Sequence, residues 1–125
     1  MKERKNKHKS EQITVLADFL AEDFRFRRSF LSAVNKLFDD EAKKYKPAYL
    51  FHQNKIKELS AKMQLQLITF DGSEYNEGLP VTPLNADEFS SAENLVVFQT
   101  IEPTIITDKG DIVRQGTVIL SEKEQ

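Results

Sequence analysis

Cysteine is absent from this 125-residue chain, which excludes disulfides, thiolate nucleophiles and cysteine-held metals together. Histidine occurs only at His8 and His52, so imidazole for metal binding or acid–base work is scarce. Glycine is limited to Gly72, Gly78, Gly110 and Gly116, too scattered to form the phosphate-cradling GxxxxGK or GxGxxG patterns. Serines lack the elbow sequence that marks a nucleophile. No apolar run approaches the roughly 18 to 20 residues of a membrane-spanning helix, and the opening MKERKNKHKS has no apolar stretch of the signal-peptide kind. A soluble cytoplasmic protein without a cofactor, and not an enzyme, is the expectation.

Apolar residues make up 39% of the chain and charged residues 30%, enough to build a packed core in a single domain. The net charge of −2 conceals a division. Residues 1–63 contain 15 Lys and Arg against 9 Asp and Glu, whereas residues 64–125 contain 3 against 11. All four glycines and three of the four prolines lie in the second half, leaving only Pro47 in the first. The two halves are expected to follow different structural regimes, with differently solvated surfaces as the plainest consequence.

The first half reads as helix. Ser10 suits an N-cap, with Glu11 in the first turn against the positive end of the helix dipole. Ile13, Leu16, Leu20, Phe24, Leu31, Val34 and Phe38 then recur mostly at steps of three and four, widened by Phe30 and Leu37. Asp23, Arg25, Arg27 and Arg28 interrupt this stripe, as one helix with a polar layer or two helices with a bend would do. Pro47 is expected to break the helix, because it lacks an N–H and disfavours helical geometry before it. A second helix of about 48 to 63 would then present His52, Ile56, Leu59 and Met63. His52 reads as a packed or half-exposed helix residue.

The second half reads as strands. LQLITF (65–70) and NLVVFQTI (94–101) have strand composition, and TIIT and IVRQGTVIL flank DKGD (108–111), a hairpin turn sequence. Asn85 and Glu88 in NADEFSS mark one helical turn. The expected class is α+β: a basic flexible tail (1–9), a helical region (10–63), a small, mainly antiparallel β domain (64–121) and a polar tail (122–125).

Chemistry has few candidates. Asp71, Glu74, Glu77, Asp87 and Glu88 lack the alternating order, central glycine and closing glutamate of a calcium loop, so no metal is expected. Lys2, Arg4, Lys5, Lys7 and Lys9 are able to contact phosphates, and Arg25, Arg27 and Arg28 interleave with Phe24 and Phe26 as in a single-strand stacking surface. Arginine stems covering apolar surface give the same pattern, so nucleic-acid binding is a minor alternative.

Two resemblances arise near the C-terminus. GDIVRQGTVIL resembles the hairpin of lipoyl and biotinyl carrier domains, but nothing upstream supplies their modified lysine in a tight turn. The second spans roughly residues 56 to 120: KELSAKMQLQLITFDGSEYNEG, LVVFQTIEPTI and GDIVRQGTVIL, in that order and spacing. It is similar to the GrpE family, exchange factors of DnaK-type chaperones, whose β domain runs from an FDPxxHEA stretch to an RPAxVxV strand. Phe70 and Asp71 match the opening pair; Gly72, Tyr75 and Asn76 replace its proline, histidine and glutamate. Arg114, Val118 and Leu120 match the closing strand, with Gln115 and Gly116 in place of proline and alanine.

This resemblance implies a homodimeric co-chaperone that binds a DnaK-type ATPase and promotes ADP release. By that analogy Phe70, Asp71, Tyr75, Asn76, Glu77 and Arg114 face the partner, TFDGSEYNEGLPVTPLN (69–85) lies on or beside that surface, and the Ile13–Phe38 stripe dimerises as in a coiled coil. The alternative is a structural or assembly protein whose β domain docks without exchange activity.

Overall fold

The computed structural model describes residues 2–91 and 93–124 and has an α+β fold. Helix α1 spans Lys2–Val34. It contains no glycine or proline, and the segment expected as a flexible tail is backbone-helical from Lys2. The reason is compositional: Lys, Glu and Arg dominate residues 2–9 and are good helix formers. Ser10 is therefore interior, its carbonyl accepting a bond from the Thr14 hydroxyl.

The helical break falls at residues 35–38, where Lys36 and Leu37 donate to Ala33 and Val34 in tight terminal turns. Helix α2 (Asp39–Lys62) then begins with Asp39, Asp40 and Glu41, favourably placed at the positive end of its dipole. Pro47 lies inside α2, correcting the expected break there. A proline interrupts the backbone ladder at one bond, and the turns on either side carry the helix across.

The two helices form an antiparallel hairpin. Phe30 packs edge-on against Tyr45, with ring centroids 6.5 Å apart. A polar layer joins them as well: Asp23 accepts from Arg27 Nε within α1 at 2.8 Å and contacts His52 Nε2 of α2 at 2.8 Å. Of the two readings of the interrupted stripe, one helix with a polar layer is the one observed.

Among the described residues, two three-stranded sheets follow, in the orders β1-β4-β5 and β2-β6-β3. Their strands are β1 (Leu65–Ile68), β2 (Val81–Pro83), β3 (Leu95–Glu102), β4 (Thr104–Thr107), β5 (Ile112–Arg114) and β6 (Gly116–Glu122). All pairings are antiparallel except β2 with β6. DKGD makes the expected β4–β5 hairpin, with Gly110 at φ +92. IVRQGTVIL, expected as one strand, divides at Gln115 into β5 and β6, which belong to different sheets. The chain also changes sheets at the buried Pro103.

Each sheet has its own core. Ala17 and Leu20 of α1 join Leu65 and Ile105 under the first sheet, with Ile13, Leu16, Ile56, Leu67 and Val113 packed around them. Val81, Leu95, Val97, Val118 and Leu120 form the second core, flanked by Phe70, Tyr75, Leu79 and Phe89. The boundary expected at residue 64 therefore separates secondary structures without separating cores.

This packing also redirects the proposed dimerisation stripe. Ile13, Leu16 and Leu20 pack on the chain's own first core, Phe24 and Val34 are buried, and Leu31 is half-buried. Phe38 is 87% exposed, but it sits in the interhelical turn. An amphipathic stripe shows that a face is covered; here the cover is intramolecular.

Candidate interaction surface

The segment between β1 and β2 runs alongside β3. Phe70 N–H donates to the Thr100 hydroxyl, and the Asp71 carboxylate accepts from Thr100 N–H at 2.6 Å. Gly72, at φ +84, donates to the Val97 carbonyl. Tyr75 N–H reaches the Leu95 carbonyl, and Val97 N–H returns to Ser73. Asn76 Oδ1 accepts from Gly78 N–H, closing a local Asx turn. Phe70 and Tyr75 rings cover the second core, whereas Glu77 is exposed.

Asp71 and Arg114 have a second role, for each ties the β region to α1. Asp71 Oδ2 accepts from Arg28 at 3.3 Å, and Arg28 lies over the Phe24 ring. Arg114 Nε donates to Asp18 at 3.0 Å, while Nη2 donates to Glu102 at 3.3 Å. Glu102 is buried and also accepts from the Thr117 hydroxyl. Among the six residues expected to face a partner, Phe70, Asp71, Tyr75 and Arg114 are thus committed within the chain. Phe70, Asp71 and Tyr75 belong to the segment that runs along β3, whereas Arg114 belongs to β5 of the other sheet.

The most prominent exposed apolar group of the sheets was not expected. β3 shifts register between Val97 and Gln99 and again between Thr100 and Glu102. Strict alternation would leave only one of two neighbouring residues outside, but this bulge leaves Phe98 and Gln99 both exposed. Phe98 is 68% exposed. Its signal in the sequence, a third apolar residue following Val96 and Val97, is also that of a buried strand.

Electrostatically, Glu74 is distinctive. The hydrogen bond and charge of Lys123, at 2.6 Å, hold its carboxyl below the ordinary glutamate range, with slight opposition from burial. Among the described residues, no group of three or more His, Cys, Asp or Glu is arranged to hold a metal ion, and no helix is long and apolar enough to cross a membrane. Comparison of the chain with protein-family models, curated proteins and solved structures finds no significant match.

Proposed function

We propose that this chain is a GrpE-like adaptor that binds a DnaK-type ATPase and promotes ADP release, without catalytic chemistry of its own. The observation that carries this reading is the position of two residues behind the resemblance, Asp71 and Arg114, each in a salt bridge from the β region to α1. An exchange factor has to bind the open form of its ATPase better than the closed form, since only differential affinity shifts a conformational equilibrium. A β region braced against a long helix resists deformation when it is inserted into a cleft. Phe98, exposed on a bulged strand, is the anchor we assign to the contact.

The test is the release rate of a fluorescent ADP analogue from a DnaK-type ATPase with and without the protein. Acceleration that Phe98→Ala reduces by about tenfold or more, with circular dichroism unchanged, supports the proposal. No acceleration at saturating protein overturns it. Arg114→Ala is a poor probe here, because it removes a brace as well as any contact.

A second reading is assembly with a larger structural partner. It is favoured by Val15, Phe19 and Phe26, which leave an exposed apolar row on α1 opposite its buried stripe. Robust folding with no effect on ADP release, together with loss of a defined complex in Phe19→Ser, would favour this alternative.

A further inference from the structure

The helical hairpin and the first sheet leave a groove of about 680 Å³ between α1, α2 and β1. Phe24, Leu31 and Ile56 supply apolar wall, while Leu65, Gln66 and Leu67 line it in succession. Successive side chains of a strand point to opposite faces, so a strand that lines a space with consecutive residues presents its edge. β1 is indeed an edge strand: its order is β1-β4-β5, and it pairs with β4 only. Among the described residues, Leu65–Ile68 make no other backbone hydrogen bond. Half of the N–H and C=O groups of such a strand point away from its single neighbour.

Free edges are ordinarily blunted by charge, proline or a bulge. β5, at the far side of the same sheet, carries Arg114 and a register shift where it pairs with β4. β1 reads Leu-Gln-Leu-Ile, without charge or proline, and its pairing runs without a shift. The charged groups lining the groove are Arg27, Arg28 and Lys57, with no carboxylate among the lining residues. Arg27 is occupied by Asp23 and Arg28 by Asp71. Lys57, exposed on α2, has no ion pair among the described residues.

We infer that this groove receives an extended acidic-apolar peptide of a partner protein, added to β1 as a further strand. Its backbone pairs with the outward groups of Leu65–Ile68, its apolar side chains rest on the half-buried Leu31 and Ile56, and a carboxylate reaches Lys57. Strand addition of this kind takes affinity from main-chain bonds and selectivity from alternate side chains. The β1 of a second copy fits less well, because Leu-Gln-Leu-Ile brings no carboxylate to Lys57. The site does not depend on nucleotide exchange, and its test is separate.

A fluorescein-labelled peptide of about eight residues, alternating valine and glutamate, is titrated with the full chain and followed by anisotropy. Saturable binding is expected, with a Kd below about 100 μM. N-methylation of the amides along one peptide edge should weaken it by about tenfold or more, while methylation along the other edge leaves it unchanged. Lys57→Glu, at an exposed helix position, should weaken it by a similar factor of about ten. No saturation up to about 1 mM overturns the proposal. So does binding that is indifferent to N-methylation on both edges, or equal binding of a peptide with lysine for glutamate. A dimer in sedimentation, with the amides of Leu65–Ile68 that point away from β4 already protected from exchange in the chain alone, assigns the edge to a second copy and also overturns it.

Discussion

Gly116 illustrates how a single residue can set a topology. A Cβ there would meet the Glu102 carbonyl oxygen at 2.6 Å and Thr104 N at 2.8 Å, backbone atoms that have no flexible end to move aside. The contact lies where the chain changes sheets, and Gly116 N–H also reaches the Thr104 hydroxyl. Gly116→Ala is expected to cost about 1–3 kcal/mol in urea unfolding; a neutral result would show that this crossing is loosely packed. The sequence revealed that a glycine stood here, but read it within a strand, because a contact to residues 102–104 has no local signal. Asn85 shows the same limit: it does stand at the N-cap of the expected helical turn, Ala86–Glu88, but its side chain makes no cap bond and clasps the Leu120 backbone, through bonds of 2.9 and 3.0 Å. Glu74 allows a prediction with a sign. Its folded-state pKa is depressed, so its stabilising contribution is present above the ordinary glutamate range and is lost as pH falls through the lowered value. Lys123→Met should therefore raise the Glu74 titration midpoint observed by carboxyl NMR; an unmoved midpoint would rule out Lys123 as the cause.

Among the elements, composition and period were readable where local preference and packing agree. The helices, β1, β3 and the DKGD hairpin are such cases. β2 was missed because three residues ending in proline carry little strand signal; they pair with β6 only because tertiary packing brings them together. Pro47 was misread for the converse reason. A proline in the interior of a helix costs about 3 kcal/mol relative to alanine, yet residues before and after it have enough helix preference and packing to continue. Pro47 is exposed, so replacing it removes little packing. Pro47→Ala is accordingly expected to stabilise the protein by about 1–3 kcal/mol and to raise its thermal midpoint. A loss of stability would mean that the geometry imposed by proline is needed for α2 to meet α1 and β1. The candidate site was legible only in outline: Phe70, Asp71 and Arg114 were picked out, but their partners Thr100, Arg28 and Asp18 lie far away in sequence.

For the whole molecule, the sharing of one core by helices and sheet is the property with the widest consequences. Ile105 is fully buried, and the cluster around it draws Ala17 and Leu20 from α1 as well as Leu65 from β1. Arg114 and Asp71 add salt bridges across the same junction. If the helices and sheets were independent, damage in β4 would leave α1 and α2 folded. With a shared core they should unfold together. Ile105→Ala is expected to cost about 2–5 kcal/mol, through lost burial and the cavity left behind. The chain has three tyrosines, of which Tyr45 and Tyr49 lie in α2 and Tyr75 against the second core. With Tyr45 and Tyr49 replaced by phenylalanine, tyrosine fluorescence reports the sheets and far-ultraviolet circular dichroism reports mainly the helices. Coincident urea transitions by the two probes, both shifted by Ile105→Ala, are the expected result. Separate transitions, with the helical signal unmoved by the substitution, would show that the hairpin folds by itself and would remove the rigid brace on which the exchange-factor proposal depends.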